Sequence, residues 1–471
     1  MTPWLLILAF ITVILAGLLL IQRKDFIFFA AFVCVFTPLD YIDRFFFTVP
    51  SAIRWLPFLA IAALAVVTAL LKYRYALQIP KGLVVIYALI LGVSGISLLM
   101  NHSSGLAMLV AQRGYIMIFS FLVLLKNVYG TYTKEDIYRL LVWIGVIHFP
   151  IALFQRVVFV SLLHIESGDM VSGLLPIDGF YLFFQCICVL ITMVFWLRGQ
   201  RIIPQLSSEI TLLLLLGSVA IGANKAGLIM LFVIFGFVIF RSERQLVFRH
   251  MRKIMVAGVA VGMAFITFTF VYNQEFASNE QSSYTSLLTD PAFFIRYNFA
   301  GSSERSQFTP SGRLKRGAAI TFSWKHVNTK LRTTLLGLGP GATAESNLPG
   351  ANGGLANRYP NYYINRVAMA MYLGDLGIIG LGLHMAFLLY LLRCTPIDLK
   401  KDDTSSRSMD YRIREGFVFL ALVFYTYENL YFEPMFALLI AVMAYPYAKE
   451  RAPKTIASDP VYHQRREISG A

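Results

Sequence analysis

At 471 residues, with 57% hydrophobic and only 14% charged side chains and a mean hydropathy of +0.65, the chain is too apolar to be a string of soluble domains. It reads as an integral membrane protein, in which runs of about 20 apolar residues cross the bilayer as helices because each then satisfies its own backbone donors and acceptors. A net charge of +15 would suggest nucleic acid in a soluble protein; here basic loops on one side of a membrane account for it, and no nucleic-acid partner is expected.

Thirteen apolar runs follow in order, near 3–21, 26–39, 53–71, 82–100, 104–125, 137–154, 177–197, 209–222, 224–241, 254–272, 366–392, 415–429 and 432–447. The expected fold is therefore an all-α polytopic membrane protein of about 12–13 transmembrane helices with one large external loop containing short helices. The run from Pro3 to Ile21 lacks a basic leader and a small-residue cleavage site, so it reads as a retained first span. The units are 1–272 with about ten spans, a loop over 273–365 with amphipathic helices, a second helical block over 366–448, and a charged tail over 449–471. Alternate short connections carry twenty Lys or Arg and the opposite ones three, Arg44, Arg156 and Lys225. That asymmetry places the first set and the tail in the cytoplasm and the long loop outside. The loop nevertheless holds nine basic and five acidic residues, an excess that the side rule does not explain.

The four cysteines, Cys34, Cys186, Cys188 and Cys394, lie in or beside apolar runs and suggest packing rather than disulfides or metal ligation. Arg113 falls in the middle of a run, where a cation is costly unless it is paired, for instance with Asp178, or faces a ligand. Lys225 sits in the tight turn Gly222-Ala-Asn-Lys-Ala-Gly227, where it either snorkels to the interface or meets a substrate.

Within the loop, the stretch Thr309 to Trp324 reads as one helix capped by Thr or Ser with Pro310 in its first turn. Arg313 and Arg316 would then share a face, either as a solvated basic stripe or as a clamp for phosphate oxygens. Leu335-Leu-Gly-Leu-Gly-Pro-Gly341 follows, a turn whose glycines allow close approach to a ligand or to another backbone. Arg366 precedes Gly377 by eleven residues, about three helical turns, which would set a cation above a glycine strip able to admit a lipid chain; interfacial anchoring and close packing are the alternative. Tyr359, Tyr362, Tyr363 and Trp324 are candidate aromatic platforms for a ligand, although interfacial belts also recruit Tyr and Trp. Glu166, Asp169, Asp178, Glu304, Glu345 and Asp375 are the candidate general bases, and no histidines have metal spacing.

The order of these features resembles the O-antigen polymerase and O-antigen ligase superfamily of bacterial membrane glycosyltransferases. The likeness is carried by Ile151-Ala-Leu-Phe-Gln155, by Gly222-Ala-Asn-Lys-Ala-Gly-Leu228 (where the family more often has Arg), by Ser311-Gly-Arg-Leu314 through Gly341, and by Asn361-Tyr-Tyr-Ile-Asn-Arg366 through Leu381. Ligases of that family carry a His-Asn type pair about eleven residues before the last glycine block, where this chain has Arg366. The resemblance thus favours a polymerase of the GT-C kind in the bacterial inner membrane, with a ligase or single-glycan transferase as the alternative within the family. It implies an undecaprenyl-diphosphate-linked oligosaccharide as donor and another as acceptor, a periplasmic reaction, no metal or other cofactor, and a chain-length regulator as a possible partner. Arg313, Arg366 and Lys225 would hold the diphosphate, with Arg113, Arg316, Arg358, Tyr362 and Asp178 as further substrate contacts. A transporter or flippase of lipid-linked glycan is the alternative from another class, disfavoured because no internal repeat is visible.

Overall fold

The computed structural model describes residues 55–71, 79–127, 132–158, 171–175, 178–222, 225–241, 313–345, 352–394, 406–431 and 433–445, with short pieces near 31–36, 251–267 and 307–308. Among the described residues the chain is mostly helical and has no strand, and Phe308 and Leu314 form an isolated antiparallel bridge. The helices with described bounds before the loop are α1 (Leu56–Leu71), α2 (Lys81–Asn101), α3 (Gly105–Asn127), α4 (Lys134–Gln155), α5 (Asp178–Leu197), α6 (Ser208–Ile221) and α7 (Lys225–Arg241). The loop contributes α8 (Arg316–Val327), α9 (Leu331–Leu336) and α10 (Gly354–Arg358), and α11 (Ala368–Tyr390), α12 (Ser406–Tyr425) and α13 (Pro434–Ala444) complete the set.

Among the described residues five helical segments are long and apolar enough to cross a membrane: Lys81–Asn101, Gly105–Lys126, Lys134–Val158, Gly179–Leu197 and Ala368–Arg393. The structure is thus that of a helical membrane protein. Helices α1, α6, α7 and α13 are apolar but shorter, and α12 is excluded by the charges in its first half, Asp410, Arg412, Arg414 and Glu415. The apolar run near 3–21 lies outside the described residues, and those near 26–39 and 254–272 are described only in pieces.

Local sequence explains where the helices start. Thr133 and Asp136 form a reciprocal capping box, the Asp136 N–H donating to Thr133 Oγ1 at 3.2 Å and the Thr133 N–H to Asp136 Oδ2 at 2.9 Å, so α4 starts there. Ser207 caps α6 by accepting the Ile210 N–H at 3.2 Å. Helix α2 stops at His102, whose left-handed backbone (φ 50°) terminates the hydrogen-bond ladder.

Helix α5 is buried along its whole length and is the axis of the bundle, packed by α4, α6, α7 and α12. Helix α3 lies between α1 and α13, and α11 lies against α2. One end of the bundle carries the loop. The other is closed by a buried ion cluster, in which Asp410 takes Lys134 Nζ at 2.7 Å, Arg414 Nη2 at 2.5 Å and the Tyr138 hydroxyl at 2.6 Å. Lys134 also donates to the Tyr445 carbonyl at 2.9 Å. Helices α4, α12 and α13 are thereby tied together at that end.

Candidate functional site

The loop docks on a broken helix. At Gly377 the backbone of α11 turns to φ 65°, ψ −160°, and the ladder is interrupted. The carbonyls of Gly374 and Asp375 then accept the N–H groups of Leu338 and Gly339 at 2.9 and 3.1 Å. The Asp375 carboxylate, buried beneath the turn, takes three donors: the Gly341 N–H at 2.9 Å and the Thr343 N–H and hydroxyl at 2.8 Å each. From the α2 side, Ser97 Oγ donates to the Leu336 carbonyl at 2.7 Å and Asn101 Nδ2 to the Gly337 carbonyl at 3.3 Å. Glycine is required where the two backbones meet. A Cβ on Gly337 (φ 74°) would lie 2.3 Å from the Asp375 carbonyl, and one on Gly377 would lie 2.6 Å from the Gly337 nitrogen.

Two expectations are corrected here. The glycine turn approaches another backbone, and with Gly374 and Gly377 occupied by the loop, that part of α11 is not a groove for a lipid chain. Arg366 lies in a 3-10 turn (Ile364–Arg366) separated from α11 by the extended Val367, so Arg366 and Gly377 do not share a face of one continuous helix. Asp375, a candidate general base, is consumed by the docking.

The loop helix also starts later than the sequence suggests. Lys315 is the N-cap of α8, while Leu314 pairs with Phe308 and its N–H donates to the Tyr362 carbonyl at 3.2 Å. Burial of Leu314 in the loop's own small core draws this stretch into an extended conformation. Arg313 is therefore off the helix, and Arg313 and Arg316 do not form a pair on one helical face; Thr309 to Gly312 lie outside the described residues.

The cations converge instead on a carboxylate that the sequence reading overlooked. Glu428, in the connection between α12 and α13, receives Arg316 Nη2 on Oε2 at 3.2 Å and Arg366 Nε on Oε1 at 3.4 Å. Its side chain is 9% exposed, against 17% for Arg316 and 32% for Arg366, so the site is a recess whose open edge is the Arg366 guanidinium. Arg316 is further held by the Tyr427 carbonyl at 2.7 Å and by the Tyr427 ring, 3.8 Å below its guanidinium carbon. Asn429 ties the same connection to the Asn365 carbonyl at 2.8 Å. The first turn of α5 packs here too: a Cβ on Gly179 would lie 3.2 Å from Glu428 Cγ.

Arg313 packs on Tyr363. Its guanidinium lies 4.4 Å from the centre of the Tyr363 ring, and Tyr363 directly precedes the turn that carries Arg366. Glu345 accepts the Tyr363 N–H at 2.9 Å. Burial pushes the Glu345 carboxyl above its ordinary value, opposed by that hydrogen bond and by the nearby Arg313.

No protein-family model matches the chain, and no curated protein matches it either. The remaining site candidates are distributed as follows. Arg113 stacks on Trp55 at 5.3 Å, and its neighbour Gly114 packs on the Tyr431 carbonyl, so Arg113 belongs to the helix that backs the Glu428 connection. Tyr362 is half-buried among Phe308, Phe322 and Tyr359, a packing role within the loop. Arg358 is elsewhere, at the rim of a cleft of about 410 Å³ between the α2–α3 turn and the loop. Asp178 and Lys225 begin α5 and α7, but their side chains lie outside the described residues, as do Glu166, Asp169 and Glu304. Gln155, which ends its helix, clamps the segment 171–175 by accepting the Ser172 and Gly173 N–H groups at 3.1 and 2.8 Å. Among the described residues no group of three or more His, Cys, Asp or Glu side chains is arranged to hold a metal ion.

The arrangement suits an anion. Two arginines facing one carboxylate leave a positive excess in a half-buried recess. Arginine's planar fork matches phosphate oxygens, and reduced water access strengthens each contact. Glu428 had a visible signal in the sequence: with Glu433 it is one of only two acidic residues in the apolar stretch 416–447, where such residues are costly unless used.

Proposed function

We propose that the chain is a membrane-embedded polysaccharide polymerase of the bacterial inner membrane, similar to the O-antigen polymerases. In this reading the loop and the Arg366 recess face the periplasm, and the end closed by Lys134 and Asp410 faces the cytoplasm. The observation that carries the proposal is the meeting of Arg316 and Arg366 on the single buried carboxylate of Glu428. Loop helix and span are thus joined at a cationic recess at the loop end of the bundle, the level at which a lipid-linked diphosphate would present itself.

The chemistry asked of the site is modest. A hydroxyl of the acceptor glycan attacks the anomeric carbon of the donor, the bond to the diphosphate oxygen breaks, and undecaprenyl diphosphate leaves with the electron pair while the hydroxyl proton passes to solvent or a base. The growing charge is on the leaving diphosphate, so donors already aimed at it lower the barrier without reorganising. Arg366 and Arg316 supply those donors, and Arg313, packed on Tyr363, is a further candidate. The polymerase is preferred to a ligase because Arg366 stands where ligases of the family have their His-Asn pair.

The test is genetic. Arg366→Ala or Arg313→Ala should leave folded protein in the membrane, abolish polymer and cause single lipid-linked repeat units to accumulate. Chain lengths unchanged from wild type in both variants would refute the assignment.

A further inference from the structure

The cleft beside Arg358 plays no part in the roles above. Its volume of about 410 Å³ falls in the range of sites that enclose small molecules. Part of its wall serves the fold, since Asn101 Nδ2 is engaged with Ser97 and Gly337, and Ser103 Oγ lies 3.5 Å from the Leu338 carbonyl. The other polar residues of its lining, all exposed, are His102, Ser104, Asn352, Asn357 and Arg358, with Asn357 Nδ2 3.4 Å from the Asn352 carbonyl, over an apolar floor that includes Leu338 and Pro340. Among the described residues no Asp or Glu lines it.

Amide groups donate to and accept from ring hydroxyls, the aliphatic floor suits the C–H face of a sugar, and a guanidinium without a carboxylate beside it suits an anionic substituent. The geometry points to a binding subsite for an acidic saccharide residue, with Arg358 on its carboxylate.

The subsite rests on the polymerase reading only for its place in the reaction. The cleft meets α3 at Ala107, and at Gly114 the same helix packs on Tyr431, three residues from Glu428. Seven residues of helix rise about 10 Å, a distance that a short oligosaccharide spans.

Purified full-length protein in lipid nanodiscs is titrated by calorimetry with tetragalacturonate and with the neutral maltotetraose. Tetragalacturonate should bind about tenfold more tightly, the worth of one charge-assisted contact, and Arg358→Gln should remove the preference. Gly354→Trp should remove binding of both sugars while leaving the fold intact, because a Cβ there meets nothing within 4 Å and the ring enters the cleft. The exposed Lys325→Gln should change nothing. Equal affinity for the two tetramers, or a preference that survives Arg358→Gln, overturns the proposal. So does displacement of tetragalacturonate by equimolar inorganic pyrophosphate, which would make the cleft a phosphate site. Acidic-sugar preference in a protein that makes no polymer leaves the subsite standing and removes the polymerase; polymer from a protein that binds neither tetramer does the reverse.

Discussion

Replacing Glu428 by glutamine keeps the shape on which Arg316 and Arg366 meet and removes its charge, and two effects then oppose each other. The amide orients the arginines less firmly. The existing contacts are long, 3.2 and 3.4 Å, where strong charge-assisted bonds run about 2.7–2.9 Å, and Arg366 is a third exposed, so the loss is worth about 0.5 kcal/mol per contact. An anion held by the same arginines meanwhile escapes one like charge at roughly 6 Å. With an effective dielectric of about 20–80 this relief is about 0.7–2.8 kcal/mol for each charge on the anion, and the open edge of the recess favours the lower figure. Inorganic pyrophosphate carries more than one charge near neutral pH, so the relief wins. Glu428→Gln should therefore bind pyrophosphate about 3–10-fold more tightly than wild type in calorimetric titration, with the gain shrinking as salt is added. Unchanged or weaker binding by the folded variant would show that Glu428 is not the counter-charge of an anion site.

The docking of the loop predicts that Gly337→Ala, with its Cβ driven to 2.3 Å from the Asp375 carbonyl, costs about 3–5 kcal/mol. Gly382→Ala on the same helix, with nothing within 4 Å, should stay within about 1 kcal/mol; thermal unfolding in detergent compares them, and equal behaviour would contradict the docking. Asp410→Ala leaves the fully buried Lys134 and Arg414 without their carboxylate, at a cost of about 3–5 kcal/mol, and should abolish the yield of folded protein. Glu345 gives a pH signature. Because burial raises its pKa, the folded loop prefers the protonated carboxyl, so stability is greatest in acid and declines as pH rises from the ordinary carboxylate value through the raised one. Limited proteolysis of the loop across the mildly acidic range should show that decline in wild type and not in Glu345→Gln.

Much of the architecture is legible in the chain because apolar runs of bilayer length have few alternatives: α2, α3, α4, α5 and α11 fall where hydropathy puts them. Helix α12 is harder, since its charged first half is buried through pairing with Lys134, a partner remote in sequence. Composition marks the glycine turn as special but does not say what it touches, because the kink at Gly377 that receives it is remote in sequence. The same limit explains Arg313, whose apparent helical spacing from Arg316 yields to the burial of Leu314 between them. Arg316 and Arg366 stand out as basic residues flanking the glycine turn, whereas their shared partner Glu428 is sixty-two residues beyond Arg366. No local spacing could link them.

The most direct measurement gives the purified protein, in proteoliposomes, a synthetic undecaprenyl-diphosphate-linked repeat unit and resolves the products by length. The wild-type chain should build a ladder, and Arg366→Ala should slow it by about 100–1,000-fold, the loss typical of one donor at a developing charge. A single transfer without a ladder, movement of intact substrate with no new glycosidic bond, or a ladder that Arg366→Ala leaves at full rate would contradict the account.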